Sequence, residues 1–315
     1  ELGARAPGIE IVGFGGPRRE AAGASLTGHF TGLTVTGLTE ALRVLPRSYA
    51  MYRRLVAAAR ARRPDVFVAI DFPDFNFRLM AALGRLGVPI VYYVSPQLWA
   101  WRPGRLKTMK RLVDRVLVIF PFEAPIYERA GIPVQFVGHP LVDLARAARP
   151  RGVVLRGHGL RPDAPTVALL PGSRPNELRR IAPVIAAAQP RIRARVPGVQ
   201  FVVARAPNLS DALFAPFRDG VVVQDATDEI LASSDVVITA SGTATVQAAL
   251  HERPMVVVYR VSPLSYRLGK PFLTVDMYAM PNLVAGRRIV PELIQADCTP
   301  DRIASDTIAL LTEVD

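Results

Sequence analysis

Two turns in the second half of the chain carry residue types that hold a diphosphate. The apolar run Thr166–Leu170 passes into Pro171-Gly172-Ser173-Arg174, and a helical pattern opens near Asn176-Glu177. A strand that runs through Gly-Ser into a helix leaves backbone N–H groups unpaired at the positive end of the helix dipole, here beside a guanidinium. The plainer reading is an ordinary strand–helix turn with a surface arginine, since the Walker spacing is absent. The second turn is Thr239-Ala240-Ser241-Gly242-Thr243-Ala244-Thr245. Its small hydroxyl residues and one glycine let a phosphate approach the backbone, and Gln247, one turn into the next helix, lies on a face that reaches a ribose. Two such turns in one half of a chain mean more than either alone.

In the first half, the run Val66–Ile70 ends in Asp71-Phe72-Pro73-Asp74-Phe75-Asn76. Asp71, at the carboxyl end of a strand, is placed as a general base; Asp74, where a helix begins, reads as its N-cap. A metal pair is the competing reading, but no histidine or third carboxylate lies near. Both tryptophans fall in Trp99-Ala100-Trp101-Arg102-Pro103-Gly104-Arg105, with Lys107, Lys110 and Arg111 following. Trp99, Trp101, Arg102, Arg105 and Lys107 form a candidate lipid-interfacial or sugar-stacking surface, with buried packing of the rings as the alternative. The stretch Leu42–Leu55 mixes apolar residues with Arg43, Arg47, Arg53 and Arg54. It reads as an amphipathic helix covering a sheet, or as one lying on a membrane. Late in the chain, Met280-Pro281-Asn282 fixes a turn and presents an amide. His29, His139, His158 and His251 are scattered without ligand spacing, and His139, in Gly138-His139-Pro140, suits a loop or hinge.

These motifs need a scaffold that brings strand ends to one edge. Strand-like runs alternate with helical patterns throughout, as in stacked βαβ units with parallel sheets. Strands are expected at Ile9–Val12, Val66–Ile70, Pro89–Val94, Arg115–Ile119 and Val134–Val137, and then at Thr166–Leu170, Val199–Ala204, Val221–Gln224, Asp235–Thr239 and Pro254–Tyr259. Gly13-Phe14-Gly15-Gly16 reads as a turn after the first of them. The helical pattern is clearest over Leu38–Arg62, Asn76–Leu86, Glu177–Val196, Thr243–His251 and Asp301–Val314. Ala145–Pro165, rich in Arg, Gly and Pro and without periodicity, is the expected linker. The chain thus reads as two doubly wound α/β domains, 1–145 and 146–315, facing a cleft, with ligands at the carboxyl ends of the strands. It opens on Glu1 and a single short strand and closes on an uncapped helix, which reads as a segment cut at both ends.

Composition narrows the class. With 315 residues, half of them hydrophobic and 21% charged, the chain has the length for about two domains and is not disordered. The single cysteine, Cys298, excludes a disulfide framework, and no apolar stretch approaches the ~18 residues of a membrane-spanning helix. Thirty-nine basic residues against 27 acidic give a net charge of +12, almost all of it arginine. A codon-biased genome would produce this; so would selection for a polyanionic partner such as phosphate, nucleic acid or an anionic membrane.

Taken in order, eight blocks resemble the lipid-A-disaccharide synthase family of GT-B glycosyltransferases: Gly15-Gly16-Pro17-Arg18, Asp71 to Asn76, Tyr93-Val94-Ser95-Pro96 with Trp99-Ala100-Trp101-Arg102, Phe120-Pro121-Phe122-Glu123, Gly138-His139-Pro140, Leu170-Pro171-Gly172-Ser173-Arg174, Ser241 to Thr245, and Pro281 to Gly286. The resemblance implies two Rossmann-like domains, an N-terminal one on the acceptor and membrane side and a C-terminal one for a UDP-sugar. It implies transfer of 2,3-diacylglucosamine from UDP to the 6-hydroxyl of 2,3-diacylglucosamine 1-phosphate. Asp71, Arg174 and Asn282 then match the catalytic set. Gly172, Ser173, Ser241, Gly242, Thr243, Thr245 and Gln247 would hold the nucleotide-sugar, with Gln247 standing where the family usually has glutamate. The family implies no cofactor and no metal, no nucleic-acid partner, and a cytoplasmic location peripheral to the anionic inner membrane; it leaves the oligomeric state open. Other readings remain at this point. One is a non-catalytic basic protein that binds anionic lipid or nucleic acid, and another is a UDP-sugar enzyme such as an epimerase. An NAD-linked oxidoreductase is disfavoured because the third glycine of its fingerprint is missing.

Overall fold

The computed structural model describes residues 5–6, 8–29, 38–98, 103–207, 209–262, 266–267 and 275–313. The chain divides into two compact units, Glu1–Ile119 with Glu123–Val137, and Phe120–Phe122 with Gly138–Asp315.

In the first unit, β1 (Val12–Gly15) and β2 (Ser25–His29) pair in parallel across α1 (Pro17–Ala21). The expected strand at Ile9–Val12 therefore begins three residues later, and Gly13-Phe14-Gly15 is strand, not turn. The cause is packing: Phe14 is buried, and Gly28 on the paired strand leaves room for its ring, which a Cβ there would overlap. Gly28→Ala should cost about 1–3 kcal/mol through overpacking and lower the thermal unfolding midpoint; an unchanged midpoint would show that the ring moves aside freely.

Four further strands, β3 (Phe67–Ile70), β4 (Ile90–Tyr93), β5 (Arg115–Val118) and β6 (Val134–Phe136), form a parallel sheet in sequential order. Their connections carry α3 (Pro73–Gly84), α4 (Leu106–Leu112) and α5 (Ala124–Arg129). Met80, Tyr92, Met109, Val116 and Tyr127 fill one core cluster without solvent contact. The long helix α2 (Leu38–Arg62) packs Met51 and Ala59 into a second cluster with Phe75 and Leu79. Nearer the N-terminal end of the helix, Leu45 and Tyr49 are exposed, with Tyr49 stacked on Tyr52 at 6.2 Å between ring centroids. The covering role expected of this helix is thus met from Met51 onward, while the stretch before it leaves Leu45 and Tyr49 in solvent.

The second unit is a six-stranded parallel sheet in the order β12-β11-β10-β7-β8-β9. The strands are β7 (Thr166–Leu170), β8 (Gln200–Arg205), β9 (Val221–Gln224), β10 (Val236–Ala240), β11 (Met255–Tyr259) and β12 (Glu292–Ile294). Alternate residues explain why the strands read as continuous apolar runs. Val167 and Leu169 pack with α8 (Pro175–Arg195) and α12 (Pro300–Thr312) on one face. Ala168 and Leu170 pack with α9 (Thr227–Ala232) and α10 (Thr243–Leu250) on the other. A sheet covered on both faces has no solvent side to mark with polar residues.

The expected linker proves to be part of this unit. Within Ala145–Pro165 lies α7 (Arg151–Gly157), with Val154 and Leu155 buried. Arg151 donates to both carboxylate oxygens of Asp235 at 2.7 and 2.9 Å and to the carbonyls of Pro162 and Ala164, fixing the segment to the start of β10. The division between units falls at Val137–Gly138, ahead of the expected 145/146, and α6 (Leu141–Leu144) packs on α10. His139, just before α6, accepts from the Leu141 N–H through Nδ1 at 3.1 Å. Burial lowers its pKa.

Candidate functional site

In the second unit the chain leaves β7 toward β8 and β9, then returns to the other side of β7 at β10 and continues to β11 and β12. Connections therefore diverge at the carboxyl ends of β7 and β10, the reversal point at which open sheets of this kind bind ligands. The two sequence-predicted turns are the ones that border it.

After β7, Gly172 takes φ +126°, a conformation that L side chains rarely adopt, and a Cβ there would fall 3.0 Å from Glu177 Oε2. Glu177, in the first turn of α8, organises this corner. Its Oε2 accepts from the Ser173 N–H at 3.3 Å, and its Oε1 from Arg174 Nη1 at 2.8 Å. The Arg174 side chain remains 61% exposed, against 14% for Glu177. Tyr259, at the carboxyl end of β11, lies within electrostatic reach of the pair: burial pushes its phenol pKa up, Glu177 adds to the rise and Arg174 opposes it. Strand ends β7 and β11 thus meet across β10, with one exposed cation and one oriented anion between them.

After β10, Gly242 takes φ +139° and has open space where a Cβ would stand. The first N–H groups of α10 follow directly, and such groups have no intrahelical partner. Thr243 is exposed beside them. Two other residues expected to touch the nucleotide do something else. Thr245 is buried and donates its hydroxyl to the Gly242 carbonyl at 2.7 Å; Ser241 donates its hydroxyl to the Tyr278 carbonyl at 2.8 Å. Both shape the turn and leave the ligand side to Gly242 and Thr243. Gln247 is half-buried, its amide nitrogen donating to Asp228 Oδ1 at 3.3 Å.

Asn282, expected in the catalytic set, is held within the fold. It sits in α11 (Met280–Ala285) with no solvent exposure, and its amide is fully used. Nδ2 donates to the Val290 carbonyl at 3.0 Å and to Glu292 Oε1 at 2.8 Å, while Oδ1 accepts from the Ile289 and Val290 N–H groups at 2.7 and 2.9 Å. Four bonds saturate a carboxamide, so Asn282 clamps the segment that leads into β12. Glu292 Oε1 also accepts from the Tyr278 and Ala279 N–H groups, which links the clamp to the Ser241 turn. Asn282→Asp would set a second carboxylate against Glu292 and strip a donor from Val290. We expect it to destabilise the fold by about 3–5 kcal/mol, read as a lowered denaturation midpoint; a variant with wild-type stability would restore a ligand-facing role.

In the first unit, Asp71 stands at the carboxyl end of β3, exposed, with φ +47°; Phe72 has the same φ. Two left-handed non-glycine residues in succession persist only where neighbours hold them. Here Tyr92 donates its hydroxyl to the Asp71 carbonyl at 2.7 Å, and Asn76 Nδ2 donates to the same oxygen at 2.5 Å. The backbone is pinned while the carboxylate is left without a protein partner among the described residues. Asp74 is not the N-cap: Phe72 holds that position, and Asp74 lies in the first turn, bonded to Arg105 Nη1 at 2.7 Å. Arg105 also lies 5.5 Å from the centroid of the Phe77 ring, so its charge is engaged within the unit. Lys107 is exposed. Trp99, Trp101 and Arg102 lie outside the described residues.

A family model described as lipid-A-disaccharide synthetase matches residues 1–315. The chain belongs to the lipid-A-disaccharide synthase family. The lipid-A-disaccharide synthase of Geobacter sulfurreducens is 43% identical over 308 residues, which cover 95% of this chain and 79% of that protein. Membership makes the chain an enzyme, a glycosyltransferase of lipid A biosynthesis. Among solved structures, the glycosyltransferase of kitacinnamycin matches with a TM-score of 0.60 at 20% identity, covering 99% of this chain and 85% of that one. A UDP-GlcNAc 2-epimerase from Neisseria meningitidis, bound to UDP-GlcNAc, matches with a TM-score of 0.61 at 11% identity, covering 96% and 91%. Those two likenesses show a shared α/β fold with parallel sheets. It serves transferases and epimerases alike, so it is family membership that separates this synthase from the epimerase reading.

Glu177 was legible as an acidic residue three positions beyond Arg174, a spacing that pairs on a helix.

Proposed function

We propose that the chain transfers 2,3-diacylglucosamine from UDP to the 6-hydroxyl of 2,3-diacylglucosamine 1-phosphate, with inversion at the anomeric carbon. The observation that carries this reading is the pair of glycine turns at the reversal point of the second sheet, with Arg174 exposed beside one of them. The N–H groups at the Gly242–Thr243 turn, with the Arg174 guanidinium beside the Gly172 turn, hold the diphosphate of the donor. As the anomeric C–O bond breaks, its electron pair passes to the β-phosphate of UDP, and Arg174 stabilises that charge. Asp71 takes the proton of the acceptor hydroxyl as its oxygen attacks. Helix N-termini and a guanidinium supply the electrostatic work that a metal does in other transferases.

The net charge of +12 and the exposed Leu45 and Tyr49 on an arginine-bearing helix support docking at an anionic membrane surface. No helix among the described residues is long and apolar enough to cross a membrane. The deciding assay follows UDP release from purified protein supplied with UDP-diacylglucosamine. UDP should appear, with the disaccharide phosphate, only when the acceptor is present. Equal UDP release without acceptor, or isomerisation of the donor, would overturn the reading.

A further inference from the structure

Asp228 lies beside the helix that follows the Gly242 turn and has no role in the mechanism above. It lies at the start of α9, at the carboxyl edge of the sheet, and reaches α10. One oxygen, Oδ1, receives two bonds: Gln247 Nε2 at 3.3 Å and His251 Nε2 at 2.9 Å. The His251 side chain is 8% exposed and that of Asp228 28%. A carboxylate only accepts, so it can face the nitrogen of a carboxamide and never its oxygen. The imidazole anchors the carboxylate, and the carboxylate in turn fixes which end of the amide faces it, leaving the oxygen end turned away from Asp228. Gln247 Oε1 accepts from no donor among the described residues.

Gln247 lies four residues beyond Thr243, so the two share the face of α10 that begins at the Gly242 turn. We propose that Asp228, buttressed by His251, is a positioning residue that turns the Gln247 carboxamide so that its oxygen accepts a hydrogen bond from a ribose hydroxyl of the bound nucleotide. This rests on the nucleotide-binding reading of the second unit. Without Asp228 the amide rotates, and its donor and acceptor ends exchange at no cost; recognition of the hydroxyl then loses its direction. The arrangement also dictates which residue fits at 247. A glutamate there would set two carboxylates against each other, whereas glutamine turns the same contact into an attraction.

The test is calorimetric binding of UDP and of 2′-deoxy-UDP and 3′-deoxy-UDP to the whole chain. Wild type is compared with Asp228→Ala, with Gln247→Glu, and with a double variant that combines Asp228→Asn and Gln247→Glu. Wild type should prefer UDP over at least one deoxy analogue by roughly 3- to 10-fold, the range of one net hydrogen bond. Asp228→Ala should erase that preference while still binding the analogues as wild type does, which a general loss of structure would not do. Gln247→Glu should weaken UDP binding. The double variant should recover it, because the carboxamide introduced at position 228 can donate to the new carboxylate. Undiminished preference in Asp228→Ala, or tighter UDP binding by Gln247→Glu alone, would overturn the proposal. Failure of wild type to bind UDP at all would instead overturn the nucleotide reading on which it rests.

Discussion

Asp71→Asn lowers kcat by about 10²–10⁴-fold, the contribution typical of a positioned general base, with little change in donor KM. The substitution keeps size and removes only the ability to take a proton. The carboxylate has no hydrogen bond or ion pair among the described residues, so no structural contact is lost. Asparagine also tolerates the left-handed conformation at φ +47° well. Stability should therefore be unchanged or slightly improved while turnover collapses. Steady-state kinetics together with a thermal melt separate the two quantities, and full turnover in this variant would remove Asp71 from the reaction.

Arg174→Ala has the second largest expected effect, about 10²–10³-fold in kcat, as for loss of one group that stabilises charge in the transition state. UDP affinity should fall with it, since the product carries the same diphosphate. Folding should barely notice: a pair three residues apart whose arginine is 61% exposed contributes only about 0.2–0.5 kcal/mol. Arg174→Lys should recover part of the rate but not all, because an ammonium cannot form the paired contacts of a guanidinium. Inhibition by UDP, measured beside kcat, checks both statements. Unchanged inhibition and rate would mean that another cation does this work.

Much of this architecture could be read from the chain itself. Thr166–Leu170 announced β7 because a short apolar run stands between two prolines, and the Gly-Ser-Arg that follows breaks that run with residue types suited to a turn and an anion. Ser25–His29 escaped notice because Ser, Thr, Gly and His give no alternation; only the fit of Phe14 against Gly28 makes that segment a strand. The three residues of β12 were too few to show a period, and α7 was hidden by the Arg, Gly and Pro around Val154 and Leu155. The limits at the site have one cause. Residue type says what a group can bond to, and long-range packing decides which bond it makes. Asn282 was legible as an amide in a turn, but the three residues that take its four bonds lie seven to ten positions away. Asp74 has the chemistry of a cap and the company of an arginine 31 residues on. The orientation of Gln247 depends on a carboxylate 19 residues earlier, on another helix.

The paired left-handed residues at Asp71 and Phe72 carry a consequence for how such an enzyme ages under selection. Each non-glycine residue held there stores on the order of 1 kcal/mol or more of torsional cost. Selection for heat tolerance alone would relax that spur toward glycine, shedding the carboxylate with the strain. Durability and turnover therefore pull this corner in opposite directions, and Tyr92 and Asn76 are what let the chain keep the less comfortable choice.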